Sequence, residues 1–270
     1  MAKRAYVNLV QDGLVQDGLV LESLVHDGLM QGGATSAPSP SRTLIERAYF
    51  RMREDIIEGR LAPGEKLRVE HLKAHYDVGA GTLREAITRL ASDALVLSEG
   101  QRGFRVAPVT MDDLNDLTDL RIHIEIDALR RSIRDGDAVW QANVERAFAA
   151  ISAIGHPIPA DQRAHWEVLN TRFHEAMIAG RASVWTINML RLLARHSERY
   201  RRYAMRVPSL VRDVRVEHRE IFEFAMARRE ARAALSLEAH IRNTADTLCR
   251  AHAQGVDVFS RDDPVQATAI

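Results

Sequence analysis

Apolar residues fall into three regimes along the chain. In residues 1–40 they recur every five positions, as LVQDG, LVQDG, LVLES, LVHDG and LMQGG from Leu9 onward. A period of five fits neither the roughly 3.6 of a helix nor the 2 of a strand, so these Leu-led pairs cannot line one face of either. With the Asp-Gly pairs and the closing GGATSAPSPS, the segment reads as a poorly ordered extension.

From residue 41 the period becomes helical. Leu44, Ile45, Ala48, Met52, Ile56 and Ile57 predict a first helix, ended by EGRLAPGEKL with its Gly59, Pro63 and Gly64. A short helix is expected from Val69 to about Tyr76. A glycine-rich break, VGAG, leads into the amphipathic helix of TLREAITRLASDALV. LVLSEGQRGFRVAPV then reads as two short apolar runs joined by a glycine-rich tip, a hairpin pattern. Helix, helix–turn–helix and hairpin in this order define a winged helix–turn–helix over residues 41–108.

The third regime, residues 109–255, is helical throughout. Thr110-Met-Asp-Asp113 is a capping box with Asp in place of Glu, opening a helix to about Arg134. Further helices are expected over 138–154, 161–178, 183–206, 209–228 and 230–253. They are separated by breaks at Gly136, Gly155/Pro157/Pro159, Gly180, Pro208 and Gly255. This is an antiparallel all-α bundle with a flexible tail at 256–270. The fold class is therefore mainly α: a winged helix–turn–helix followed by a helical bundle.

Composition narrows the picture by exclusion. The 37 basic and 37 acidic residues cancel, so net charge gives no whole-chain signature of nucleic-acid binding. Residues 41–110 hold twelve Lys/Arg and ten Asp/Glu, a net of only +2. The single cysteine, Cys249, precludes an internal disulfide, and no apolar run approaches the roughly 20 residues that span a bilayer. These features point to the cytoplasm. No strand–glycine-rich-loop–helix fingerprint supports a bound nucleotide or other organic cofactor.

Two regions carry candidate chemistry. In a winged helix, the N-terminal end of the second helix of the helix–turn–helix enters the major groove. Here that end is Gly79-Ala80-Gly81-Thr82 followed by Arg84. Small residues allow the backbone close to a phosphate, Thr82 is expected to cap the helix, and Arg84 can read a guanine edge. Arg102, at the wing tip, can reach the backbone or the minor groove. Glu85 and Arg89, four apart, read as a solvated helix pair. In the bundle, Asn170 and His174 share one helix face, while His218 and His240 lie on the last two helices among apolar neighbours. Three converging imidazoles would suit a Zn²⁺- or Ni²⁺-type ion, but the same pattern fits three hydrogen-bonded core histidines.

Several spaced motifs, "I..G.LAPGEKL", "LREA...L" and "GFRV", resemble the amino-terminal domain of the GntR family of bacterial transcriptional regulators. DLTDLRIHIEIDALR, LNTRFHEAMIAG and VEHREIFEFAMARREARAALSLEAHI resemble the effector-binding FCD domain of its FadR subfamily. The resemblance implies a homodimeric regulator, most often a repressor, that binds double-stranded operator DNA and releases it in response to a small organic acid. It places Asn170, His174, His218 and His240 on the family's metal-ligand positions, with Asn170 where Asp is frequent. It turns Arg121 toward the effector, where a guanidinium can clamp a carboxylate, with His196 and Tyr200 lining the same pocket. It also carries Gly81, Thr82 and Arg84 over as DNA contacts, whereas Ala80 stands where a base-reading arginine is common. The run ERYRRYAMR reads as a solvated face. A metal-dependent hydrolase with an accessory winged helix, and a winged-helix adaptor for protein partners, are the rival readings.

Overall fold

The computed structural model describes residues 44–205 and 212–259, so the repeat-bearing extension and residues 260–270 of the tail lie outside the described residues. Helix α1 (Leu44–Ile57) is followed by strand β1 (Lys66–Leu67), helices α2 (Val69–Tyr76) and α3 (Ala80–Ser92), and strands β2 (Val96–Ser98) and β3 (Phe104–Val106). Then come α4 (Met111–Asp135), α5 (Ala138–Ser152), α6 (Arg163–Ile178), α7 (Val184–Ala204), α8 (Val214–Met226) and α9 (Glu230–Ala253). Chain contacts divide this into two compact units. Among the described residues one draws on 44–124, 189–205, 212 and 237–259, the other on Glu125–Asn188 and Asp213–Ser236.

In the first unit, α1 to β3 form the winged helix. Ala48, Met52 and Ile56 of α1 and Leu83, Ile87 and Leu90 of α3 are fully buried in one core. Each such aliphatic side chain contributes roughly 1.5–3 kcal/mol of burial. Leu44, expected on the same face, is 52% exposed because the helix begins there, ahead of the core. The expected hairpin is present, and a third strand joins it in the order β1–β3–β2, all antiparallel. With only Lys66 and Leu67, paired to Arg105 and Phe104, β1 is too short to show a period in the sequence. Gly64 accordingly serves as more than a helix breaker. Its φ of 75° turns the chain so that its N–H reaches the Val106 carbonyl at 3.1 Å. Asp55 closes the domain from within, accepting hydrogen bonds from Tyr76 Oη and Arg60 Nε, both at 2.5 Å.

Val109, Leu114, Tyr200, Tyr203, Leu248 and Val258 make a further apolar cluster in the same unit. Half of the expected capping box is realised. Thr110 Oγ1 accepts the Asp113 N–H at 3.1 Å, but the Asp113 carboxylate accepts from Tyr200 Oη at 2.5 Å instead of turning back on the helix.

The second unit is helical. Phe148 and Phe222 stack at 4.1 Å between centroids, tying α5 to α8. Trp140 Nε1 donates to the Ala176 carbonyl at 2.9 Å, and Ser132 Oγ to that of Ile178 at 2.6 Å. Helix α8 starts later than the sequence pattern suggested, at Val214, with Asp213 as its N-cap accepting from the Arg215 N–H. Among the described residues no helix is long and apolar enough to cross a membrane.

Candidate functional site

Helix α3 starts inside the glycine-rich break rather than after it. The Leu83 N–H bonds to the Gly79 carbonyl at 3.0 Å, which makes Gly79 the N-cap and Ala80 the first helical residue. The expectation that Thr82 caps the helix is therefore corrected: Thr82 lies within the first turn, and no side chain caps this end. Fully buried Leu83 fixes the phase of the helix and leaves Gly81, Arg84 and Glu85 exposed. A Cβ added at Gly79 or Gly81 would meet nothing within 4 Å, and neither residue has a positive φ. The fold thus makes no demand for glycine at either position. An uncapped helix end with bare backbone N–H groups is a ready anion site, needing only a phosphate brought close. Glu85 and Arg89 pair at 3.1 Å on the exposed side, as expected. Arg102 is exposed in a 3-10 turn, Gly100–Arg102, at the wing tip. Behind it, Arg105 pairs with Glu99 at 3.0 Å and donates to the Gly64 carbonyl at 2.5 Å. The hydrogen bond from Arg105 is the main reason the Glu99 carboxyl sits below its ordinary range.

At its other end, α3 meets α7. Asp93, the C-cap residue, receives Tyr49 Oη and lies 3.0 Å from Arg195 Nη2. Its main-chain carbonyl is 2.9 Å from His196 Nε2. Arg53 pairs with Glu198 at 2.6 Å, and Arg202 with Glu58 at 3.1 Å. The reading of ERYRRYAMR as a solvated face is overturned here, since Arg199, Tyr200, Arg202 and Tyr203 are all buried. Charged residues at helical spacing look solvated in a sequence, and only tertiary packing supplies the opposite charges. His196, expected in an effector pocket, instead spends its Nε2 on the Asp93 carbonyl, and Tyr200 is engaged with Asp113 and the Thr110 carbonyl. Arg121 is half-buried on α4. None of Asp93, Arg195 or Arg53 carries a motif that would have marked it.

Three histidines are candidate ligands: His174 on α6 and His218 on α8, whose rings meet, and His240 on α9. His218 is 2% exposed, its ring 5.0 Å from that of Phe173 and 5.5 Å from that of His174. Asn170 is buried, and its Oδ1 has no hydrogen-bond partner among the described residues. An orphaned buried carbonyl oxygen is costly unless something fills its lone pairs. That oxygen and three neutral imidazoles are the donors a first-row divalent cation takes. Glu125, buried, places Oε2 3.9 Å from His174 Nδ1. Arg212 donates to His240 Nδ1 at 3.1 Å, to the His240 carbonyl at 2.6 Å and to Thr244 Oγ1 at 2.9 Å. A guanidinium can only donate, so His240 Nδ1 accepts in this arrangement.

A winged helix joined to a histidine-bearing helical domain defines a class of DNA-binding regulator, and the comparisons with known proteins agree. Residues 44–106 match the bacterial regulatory proteins of the gntR family, and residues 116–243 match the FCD domain. The HTH-type transcriptional regulator BphR of Paraburkholderia xenovorans (strain LB400) is 39% identical over 217 residues, covering 78% of this chain and 89% of that protein. The repressor GlaR of Escherichia coli (strain K12) is 29% identical over 198 residues, covering 72% and 90%. A solved transcriptional regulator from Rhodococcus sp. RHA1 shares the fold with a TM-score of 0.58 at 21% identity, over 76% of this chain and 97% of that one. The chain belongs to the GntR family of bacterial transcriptional regulators, and its helical part is an FCD domain, a ligand-binding effector domain.

Proposed function

We propose that this regulator is a homodimeric, cytoplasmic repressor of the FadR subfamily, without catalytic activity of its own. A winged helix over residues 41–108 binds a palindromic operator, and a small carboxylate held in the effector domain of residues 109–255 weakens that binding. The observation that carries the reading is the exposed start of α3. Bare backbone at Gly79–Gly81 stands beside exposed Arg84, and the fold itself needs no glycine there. Gly81 and Thr82 approach a phosphate, Arg84 reads a guanine edge, and Arg102 adds a wing contact. Repression is supported by the name of the relative GlaR.

In the effector domain His174, His218, His240 and Asn170 would hold a Zn²⁺- or Ni²⁺-type ion, which would supply a Lewis-acidic anchor for a carboxylate. The orphaned Asn170 oxygen is what favours this over three ordinary core histidines. Arg121 is the side chain that would clamp the far end of the effector. Affinity for DNA and for effector are then linked and must each change the other by the same factor.

A gel shift on the DNA upstream of the protein's own gene, with dicarboxylates and a chelator as additives, tests the reading. Retarded DNA that is released by one of the acids is the expected result. Binding that ignores every acid and the chelator would remove the effector and metal parts, and absent binding would remove this operator.

A further inference from the structure

We infer that Arg195 and His196 of α7 are positioning residues for DNA recognition, acting through Asp93 at the far end of the recognition helix. The last carbonyls of a helix have no intrahelical donor. That of Asp93 is supplied by His196 Nε2 at 2.9 Å, while its carboxylate takes Arg195 at 3.0 Å and the Tyr49 hydroxyl. Burial pushes the His196 pKa down, so the ring is neutral, with its proton on Nε2 where it can donate. The Arg195 cation also faces the negative end of the α3 dipole.

The grip belongs to a longer stripe. Arg195, Glu198 and Arg202 lie at i, i+3 and i+7, on one face of α7. They meet Asp93, Arg53 and Glu58 in turn, so plus–minus–plus faces minus–plus–minus. A slip of α7 by one turn, about 5.4 Å, would set like charges against each other. The pattern therefore fixes a register that a purely apolar contact would leave free to slide. Its members come from the C-terminal half of α1, the residue that follows it and the C-cap of α3, so that α1 and α3 are held along one line.

The magnitude of a loosened grip decides its consequence. Arg84 precedes Asp93 by nine residues, about 14 Å along a helix. A pivot of about 10° at Asp93 would move Arg84 by about 2.4 Å, whereas a hydrogen bond tolerates only about 0.5 Å. Base reading is lost on that scale. Phosphate attraction is long-ranged and sequence-blind, and survives it. Weakening the grip should lower operator affinity without lowering general DNA affinity, which distinguishes positioning from a role in folding alone.

The test uses the full chain and an operator selected by the wild-type protein from a random duplex library, with a scrambled duplex of equal length at the same salt. Arg195→Gln and His196→Leu break the two contacts; Arg195→Lys and His196→Gln keep a charge or a donor in place. The expected result is about a tenfold loss on the operator for each breaking variant. Binding to the scrambled duplex should stay within about twofold. Thermal unfolding should be nearly unchanged and the conservative variants close to wild type. Equal losses on both duplexes, no loss on either, or conservative variants that fall as far as the breaking ones would overturn the inference. A wild-type chain that selects no sequence at all would overturn the operator reading beneath it. If a breaking variant unfolds, amide hydrogen exchange just after α3 in Arg195→Met, which keeps the aliphatic packing and loses the charge, decides: faster exchange than wild type at Asp93–Leu95 supports the grip, and an unchanged rate counts against it.

Discussion

Arg53 Nη2 stands 2.6 Å from Glu198 Oε2, joining α1 of the winged helix to α7 by an ion pair that is mostly, not wholly, shielded, with 21% and 15% of the two side chains exposed. Glu198 also lies 3.9 Å from Arg202, so removing its charge leaves two guanidinium groups facing each other. Breaking a buried pair costs about 3–5 kcal/mol and a surface pair at most about 1. The partial exposure here places Glu198→Gln at about 1–3 kcal/mol of lost stability, measurable by urea unfolding monitored through tryptophan fluorescence and circular dichroism.

The same carboxylate makes that loss pH-dependent. Burial works against its charge, but Arg53, Arg201 and Arg202 outweigh burial and hold its pKa below the ordinary range. A group whose folded pKa is lowered contributes stability that is complete above its unfolded value, about 4.3, and disappears as pH falls through the folded value. The stability gap between wild type and Glu198→Gln should be full at neutral pH and should narrow below about pH 4. A gap that stays constant down to pH 3 would show that the charge is not what stabilises the contact.

Ala94, immediately after the recognition helix, adopts a φ of 55°, a left-handed conformation that costs an L-residue roughly 1 kcal/mol and glycine little. The Leu95 N–H to Leu90 carbonyl and Ala94 N–H to Ala91 carbonyl bonds, both at 3.0 Å, hold it there as the end of the helix. Ala94→Gly should therefore stabilise the protein by up to about 1 kcal/mol, less the extra entropy of the unfolded chain. A lower melting temperature would count against the left-handed assignment.

Arg84→Ala should weaken operator binding by about 1–3 kcal/mol and relax the preference at one base position, with the scrambled duplex affected much less. Titration of both duplexes by fluorescence anisotropy at matched salt provides the measurement. An unchanged operator affinity would take Arg84 out of the base-reading role.

At the histidines, the neutral amide of Asn170 is a weaker donor than a carboxylate, and the cation of Arg212 on His240 opposes a bound cation. Asn170→Asp adds a carboxylate and should tighten Zn²⁺ binding at least about tenfold. Arg212→Met removes a nearby positive charge and frees His240 Nδ1, and should tighten it as well. Isothermal titration with Zn²⁺ on chelator-treated protein reads both, and weaker binding in either variant would contradict the donor set proposed.

Much of the fold was legible because its signals are local. Helical period placed α1 and α2 almost to the residue and α3 to within a few residues at each end, and glycine spacing placed the hairpin. Asn170 and His174, four apart, were readable as one face. What escaped was non-local. Strand β1 exists only because Lys66 and Leu67 find Arg105 and Phe104 nearly forty residues away. His196 looked like a pocket residue because nothing near it in sequence announces the Asp93 carbonyl.

By itself the sequence determined the order of the helices and the hairpin, the bare start of the recognition helix and the identities of the candidate ligands, since period, turn chemistry and residue type are properties of short stretches. Tertiary structure alone decided which charges meet. Arg195, Glu198 and Arg202 are a charged helix face in the sequence, and they become a register only when Asp93, Arg53 and Glu58 are folded against them. Charge complementarity acts through space at a few ångströms, and distance along the chain carries no record of it.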